Sequence, residues 1–159
     1  MRPQVTTPNA RLGRRAFVAL ALAAGFVGIV AKPFGALAQS SPEKGYEIMQ
    51  ADAAYDAAKA GDIILVDIRT PQEWQQTGIG EGAVALDMRD EGFVKSLVDL
   101  RQAYPEKPIA LICRTSNRSG YVVSTLASQG FPNLVDVAEG MAGGPNGTGW
   151  VNRGLPVYA

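Results

Sequence analysis

Apolar residues change their spacing repeatedly along this chain. From residue 45 onward, short runs that are apolar at successive positions alternate with stretches in which apolar residues return every three or four positions. The first pattern suits strands covered on both faces and the second suits helices. Strands are expected at 63–68 (IILVDI), 83–86 (AVAL), 109–112 (IALI) and 134–137 (LVDV), with a weaker one near 47–49. Helices are expected at 52–59, 71–76, 93–103 and about 118–129. Gly61 reads as the stop of the first helix, and Thr70-Pro71 as an N-cap followed by proline at the first helical position. In the third helix, Phe93, Val94, Leu97, Val98, Leu100 and Tyr104 approximate one helical face. The alternation predicts an α/β fold with a central parallel β-sheet flanked by helices on both faces. Residues 40–45 (SSPEKG) read as a flexible lead-in, and 140–149 (GMAGGPNGTG), with five glycines, as a long loop.

Before residue 39 the pattern is of another kind. Arg14 and Arg15 stand directly before the uncharged apolar run 16–31, which is followed by Lys32, Pro33 and the small-x-small sequence Ala36-Leu37-Ala38. A basic region, an apolar region and a cleavage site in that order describe a secretory signal peptide. The stretch GRRAFVA resembles a twin-arginine export signal. The expectation is therefore a signal peptide over 1–38, cleaved near Ala38, and a single domain over 39–159 working in a bacterial periplasm. The run of sixteen residues falls short of the roughly 20 needed to span a bilayer, which favours cleavage, with no stable membrane anchor afterwards, over the alternative of an uncleaved anchor.

Charge changes the picture once the leader is set aside. The whole chain balances 15 basic against 15 acidic residues, but 1–38 holds five basic and no acidic ones, leaving a remainder with a net charge of −5. That balance argues against nucleic-acid binding, which rests on neutralising phosphates. The chain has no histidine and a single cysteine, Cys113. Ser-His-Asp and Cys-His catalysis, Cys/His zinc sites, intrachain disulfides and CxxC redox pairs are thereby excluded. No metal site and no cofactor are expected, and Glu43, Glu73, Asp87, Asp90 and Glu91 lack calcium-loop spacing and read as solvated surface. A lone thiol in an oxidising compartment is a liability unless it is used or deeply buried.

The chemistry concentrates in residues 108–120 (PIALICRTSNRSG). An apolar strand ends at Ile112, Cys113 follows, a polar loop runs through Arg114, Thr115, Ser116 and Asn117, and a helix begins near Arg118. Such a turn aims backbone N–H groups and the positive end of a helix at whatever occupies its centre. With Arg114 and Arg118 beside it, a thiolate at Cys113 needs no histidine to be stabilised.

CRTSNRS, in this order of elements, resembles the active-site loop of a single-domain rhodanese. LVDIRTPQEW (65–74) is similar to the family's Asp-x-Arg-x-x-x-Glu segment, Gly82-Ala83 precedes a strand as in the family, and Gly154-Leu155-Pro156-Val157 with Trp150 ahead of it is similar to its C-terminal signature. The likeness spans about 46–157. It implies a sulfurtransferase that moves a sulfane sulfur from an anionic donor such as thiosulfate to a thiol or cyanide, through a persulfide on Cys113. In that reading Arg114, Thr115, Ser116, Asn117, Arg118 and Ser119 bind the donor and the persulfide, while Asp67 and Arg69 form a structural pair. The four residues between Cys113 and Arg118 match the rhodanese loop, which is one shorter than that of the phosphatases and arsenate reductases sharing the fold. The competing expectation is a sulfur carrier or docking module for a periplasmic redox protein, without turnover of its own. This chain departs from the family pattern at Ser116, where many relatives have glycine, at 77–80, where a histidine is often found, and in the longer stretch between Gly140 and Trp150.

Overall fold

The computed structural model describes residues 39–41 and 45–159. The leader expected over 1–38 lies outside the described residues. Among them, the strands are β1 (Gln39–Ser41), β2 (Tyr46–Met49), β3 (Ile64–Asp67), β4 (Ile79–Gly80), β5 (Val84–Ala85), β6 (Ile109–Ile112), β7 (Leu134–Val137) and β8 (Val157–Tyr158). The helices are α1 (Ala51–Ala60), α2 (Pro71–Thr77), α3 (Phe93–Ala103) and α4 (Asn117–Ser128). Five strands pair in parallel in the order β2-β7-β6-β3-β5, with β1 added antiparallel at the β2 edge. β4 and β8 make a separate antiparallel pair. This is the expected α/β fold, with each long element where the pattern placed it.

Strand periodicity divides the interior in two. In β6, Ala110 and Ile112 face a cluster built from α1, Met141 and Trp150, while Ile109 and Leu111 face a cluster built from α3 and α4. Continuing the alternation past the strand's end carries Cys113 onto the α3/α4 side, where it packs with Val66, Ile68 and Val122. β6 and β7 are buried throughout, which explains their unbroken apolar reading.

Two expectations change. Ser40 and Ser41 pair with Glu47 and Tyr46 instead of forming a loose lead-in. On α3 only Phe93 and Leu97 are buried, with Leu100 partly covered, while Val94, Val98 and Tyr104 face outward. A sheet covers a narrower stripe of a helix than the periodicity alone suggests. The β4/β8 pair was too short for any periodic signal.

The end of β3 is tied to α2 by a buried clip. The Arg69 guanidinium donates to Asp67 through Nε (2.9 and 3.0 Å) and Nη2 (2.7 Å), and also to Thr77 Oγ1 (2.7 Å) and the Gly78 carbonyl (2.6 Å). Arg69 and Asp67 are 2% and 0% exposed. The bonds thus join the end of β3 to the last residue of α2 and the residue after it. The helix itself starts as expected: Thr70 accepts from the Glu73 amide, Glu73 accepts from the Thr70 amide, and Pro71 follows the cap.

Replacing Arg69 by Met leaves the Asp67 carboxylate buried without its cation, and should cost about 3–5 kcal/mol in urea denaturation. Replacing Asp67 by Leu in the same chain should recover much of that loss. A single-variant cost under about 1 kcal/mol would contradict the clip.

Candidate active site

Cys113 sits where the central strand stops. Its carbonyl accepts from the Met141 amide (2.8 Å), and the Arg114 carbonyl accepts from Ala142 (2.9 Å), so the glycine-rich segment runs alongside the loop. Gly140 makes that approach possible: its φ is +64°, and a Cβ there would stand 2.5 Å from the Arg114 carbonyl oxygen. The residue after it, Met141, is buried, and Cys113 itself is 1% exposed.

The loop turns into α4 through Ser116, which adopts a left-handed conformation (φ 71°) that a side chain disfavours by about 1–2 kcal/mol. Ser116 occupies the N-cap of α4, yet its hydroxyl does not cap the helix. It donates instead to Asp136 Oδ2 (2.6 Å). Ser119 Oγ lies 2.6 Å from Asp136 Oδ1 and 3.4 Å from Cys113 Sγ. Among the described residues, the backbone N–H groups of residues 114–119 donate no hydrogen bond within the protein. The helix start thus keeps its donors for an anion at the loop's centre.

The two loop arginines differ. Arg118 is held by Glu73, donating from Nη1 to Oε2 (2.8 Å) and from Nη2 to Oε1 (2.6 Å). This pair, aided by the Thr70 amide, holds the Glu73 carboxyl down at about 2 against a usual 4.5, with partial burial opposing. Arg118 is in turn held charged, first by Glu73 and more weakly by the Cys113 side chain. Arg114 is exposed and, among the described residues, makes no ion pair. It borders a cavity of about 220 Å³ lined also by Arg69, Glu73, Thr77, Met141 and Asn152. Cys113 is not in that lining. Thr115 is half-buried and Asn117 exposed, and neither side chain forms a hydrogen bond among the described residues.

Three acidic residues matter more than the sequence reading allowed. Glu73 does not behave as solvated surface but holds Arg118 in place, and its position in the Asp-x-Arg-x-x-x-Glu segment was the available signal. Asp136 is 4% exposed in an otherwise apolar strand, and a lone carboxylate inside LVDV marks a group with fixed partners. Glu139 is buried against the Arg153 guanidinium and accepts from the Gly149 amide, pinning the glycine-rich segment that walls the cavity. Among the described residues, no group of His, Cys, Asp and Glu side chains is placed to hold a metal ion.

Because the Glu73 carboxyl titrates lower in the folded chain, the Glu73–Arg118 pair stabilises the fold fully above pH 4.5 and is lost as pH falls towards about 2. Glu73→Gln should therefore cost about 1 kcal/mol near neutrality, given partial exposure, and the gap to wild type should close over that acid range. A gap independent of pH in thermal unfolding would contradict the pairing.

The rhodanese-like domain profile matches residues 50–144, which takes in β3, the Cys113 loop and the start of the glycine-rich segment. The chain is 29% identical over 104 residues to a protein named sulfurtransferase from Allochromatium vinosum, covering 64% of this chain and 84% of that one. It is 26% identical over 98 residues to an uncharacterized protein of Rickettsia prowazekii, covering 58% and 80% respectively. A crystal structure from M. tuberculosis superimposes with a TM-score of 0.55 at 22% identity, over 70% of this chain and 96% of that one, which is a likeness of fold. With more than half its length matched, and the matched length running through both the β3 clip and the cysteine loop, the chain belongs to the rhodanese-like domain family.

Proposed function

We propose that this protein is a sulfurtransferase that carries a sulfane sulfur on Cys113, taking it from a small anionic donor such as thiosulfate and passing it to a thiol or cyanide. The observation that carries the reading is the loop itself. A cysteine at a strand end is followed by amides that, among the described residues, have no intramolecular partners, by a twelve-residue helix without a side-chain cap and by a charged Arg118. Those groups favour a negative charge on sulfur, both as thiolate and as persulfide.

The first half-reaction is a displacement. The Cys113 thiolate attacks the outer sulfur of the donor, the new S–S bond forms as the donor's breaks, and sulfite leaves with the electron pair. In the second, the acceptor attacks the outer sulfur and Cys113 leaves as thiolate. Residues of the loop stabilise the persulfide through their amides. Arg118 is committed to Glu73, so Arg114 is the guanidinium left to draw the anionic donor to the cavity. Since Cys113 is buried, the donor meets it from the cavity side, past Arg114 and Met141, which border both the cavity and the Cys113 backbone.

The same reading places the work in a periplasm, supported by the twin-arginine-like leader. Replacing Arg14 and Arg15 by Lys should leave precursor in the cytoplasm of an expressing cell. Unchanged export would refute this routing.

Two kinetic outcomes test the activity. With thiosulfate and cyanide varied together, double-reciprocal plots should be parallel, as a covalent carrier demands, and Cys113→Ser should abolish turnover. Arg114→Gln should lower kcat/KM for thiosulfate by about ten- to a hundredfold, the worth of one charge-assisted contact. Intersecting plots, or full activity in Cys113→Ser, would overturn the proposal.

A further inference from the structure

Behind Cys113 lies a buried polar cluster that the sulfur-transfer steps above do not use. Asp136 accepts from Ser116 and lies 2.6 Å from Ser119 Oγ, and Ser119 Oγ lies 3.4 Å from Cys113 Sγ. Ser119 is 0% exposed, Asp136 4% and Cys113 1%. Gly120 leaves the space that Asp136 occupies, since a Cβ there would stand 3.3 Å from its Oδ2. One hydroxyl bridges a carboxylate and a thiol in a chain with no histidine.

A hydroxyl has one proton and two lone pairs. The 2.6 Å distances to Asp136 are those of hydroxyls donating to an ionised carboxylate. The Ser119 oxygen then remains an acceptor, facing the Cys113 sulfur.

We propose that Asp136, acting through Ser119, is the proton store for Cys113: the thiol gives its proton to Ser119 as Ser119 gives its own to Asp136. The proposal rests on Cys113 being the sulfur carrier. One S–H and one O–H bond break, one O–H bond forms on Ser119 and one on Asp136, and nothing enters or leaves. The cluster keeps a single negative charge throughout, which burial favours over net charging. That charge moves from Asp136 to sulfur, towards Arg118 and the amides of the loop. When the acceptor later takes the outer sulfur, Cys113 recovers its electron pair and the proton returns from Asp136 by the same route.

Among the described residues, the elements packed around the cluster bring the following groups. α4 contributes Arg118, balanced by Glu73 from α2. β6 leads into Cys113, the loop carries the exposed Arg114, β2 brings Tyr46 to the same side of the sheet, and α3 presents apolar Phe93 and Leu97.

The test is alkylation of Cys113 by iodoacetamide in the full chain, followed from about pH 5.5 to 8, where an isolated thiol gains reactivity about tenfold per pH unit. In wild type, thiolate and carboxylic acid form without net proton loss, so the rate should vary less than about threefold over that range. Asp136→Asn should restore the tenfold rise per unit and fall at least about tenfold below wild type near pH 6. Ser119→Ala, which keeps the carboxylate and removes the bridge, should behave likewise, and Ser119→Thr should retain the flat profile. If Asp136→Asn does not fold, the two Ser119 variants decide. A flat profile in Ser119→Ala or Asp136→Asn, or a steep one in wild type, overturns the relay. A flat wild-type profile in a chain that gains no sulfur from thiosulfate would keep the relay and refute the transferase reading instead.

Discussion

Everything at the site depends on where β6 stops. The ladder to β3 pairs Ile109 with Ile64 and Ile112 with Asp67, and the ladder to β7 pairs Ile109 with Leu134 and Leu111 with Asp136. These registers put Cys113 just past the carboxyl end of the central strand on the α4 side, with Asp136 one strand away. A slip of one residue would turn Cys113 to the opposite face and bury Ile112 in the loop. Because the strand is apolar at all four positions, its own pattern does not oppose such a slip, and the register is marked by the polar partners at its end, Asp67 opposite Ile112 and Asp136 opposite Leu111.

From that fixed point the charges are arranged by pairing. Arg69 is spent on Asp67 and α2, Arg118 on Glu73, and Arg153 on Glu139 and Asp52. Each pair ties a segment that frames the loop: the end of β3, the start of α4 and the glycine-rich wall. Among the described residues, Arg114 makes no ion pair, unlike Arg69 and Arg118, and it stands at the cavity. Among the described residues, the site is therefore built from cations with fixed partners around an exposed Arg114 that has no ion-pair partner there. The departure at Ser116 fits the same logic. Its left-handed backbone carries a side chain whose hydroxyl donates to Asp136, a contact that glycine could not make.

Much of this was legible in the sequence, for physical reasons. Continuous apolar runs located the buried strands, and Thr70-Pro71 and Gly61 marked helix ends through local geometry that needs no tertiary context. The loop after Ile112 was readable because strand, cysteine, polar turn and helix are contiguous. What remained hidden involves partners far apart in the chain. The Asp-x-Arg-x-x-x-Glu segment marks Glu73 as a residue with a role, but nothing in it announces that the partner is Arg118, 45 residues on. The outward turn of Val94, Val98 and Tyr104 follows from how much of α3 the sheet can cover, which periodicity does not encode. The strands β4 and β8 are two residues each and exist only because the C-terminal segment returns past Trp150, whose indole N–H donates to the Pro156 carbonyl (2.9 Å).

The central claim is that Cys113 holds sulfur between two separate steps, and intact mass reads it directly. The chain from Gln39 onward, treated with thiosulfate, should gain the mass of one sulfur atom, lose it on adding cyanide, and show neither change with Cys113→Ser. A chain that gains no sulfur, or gains it without Cys113, would contradict the account. One that gains it but does not release it would be a carrier and not a transferase.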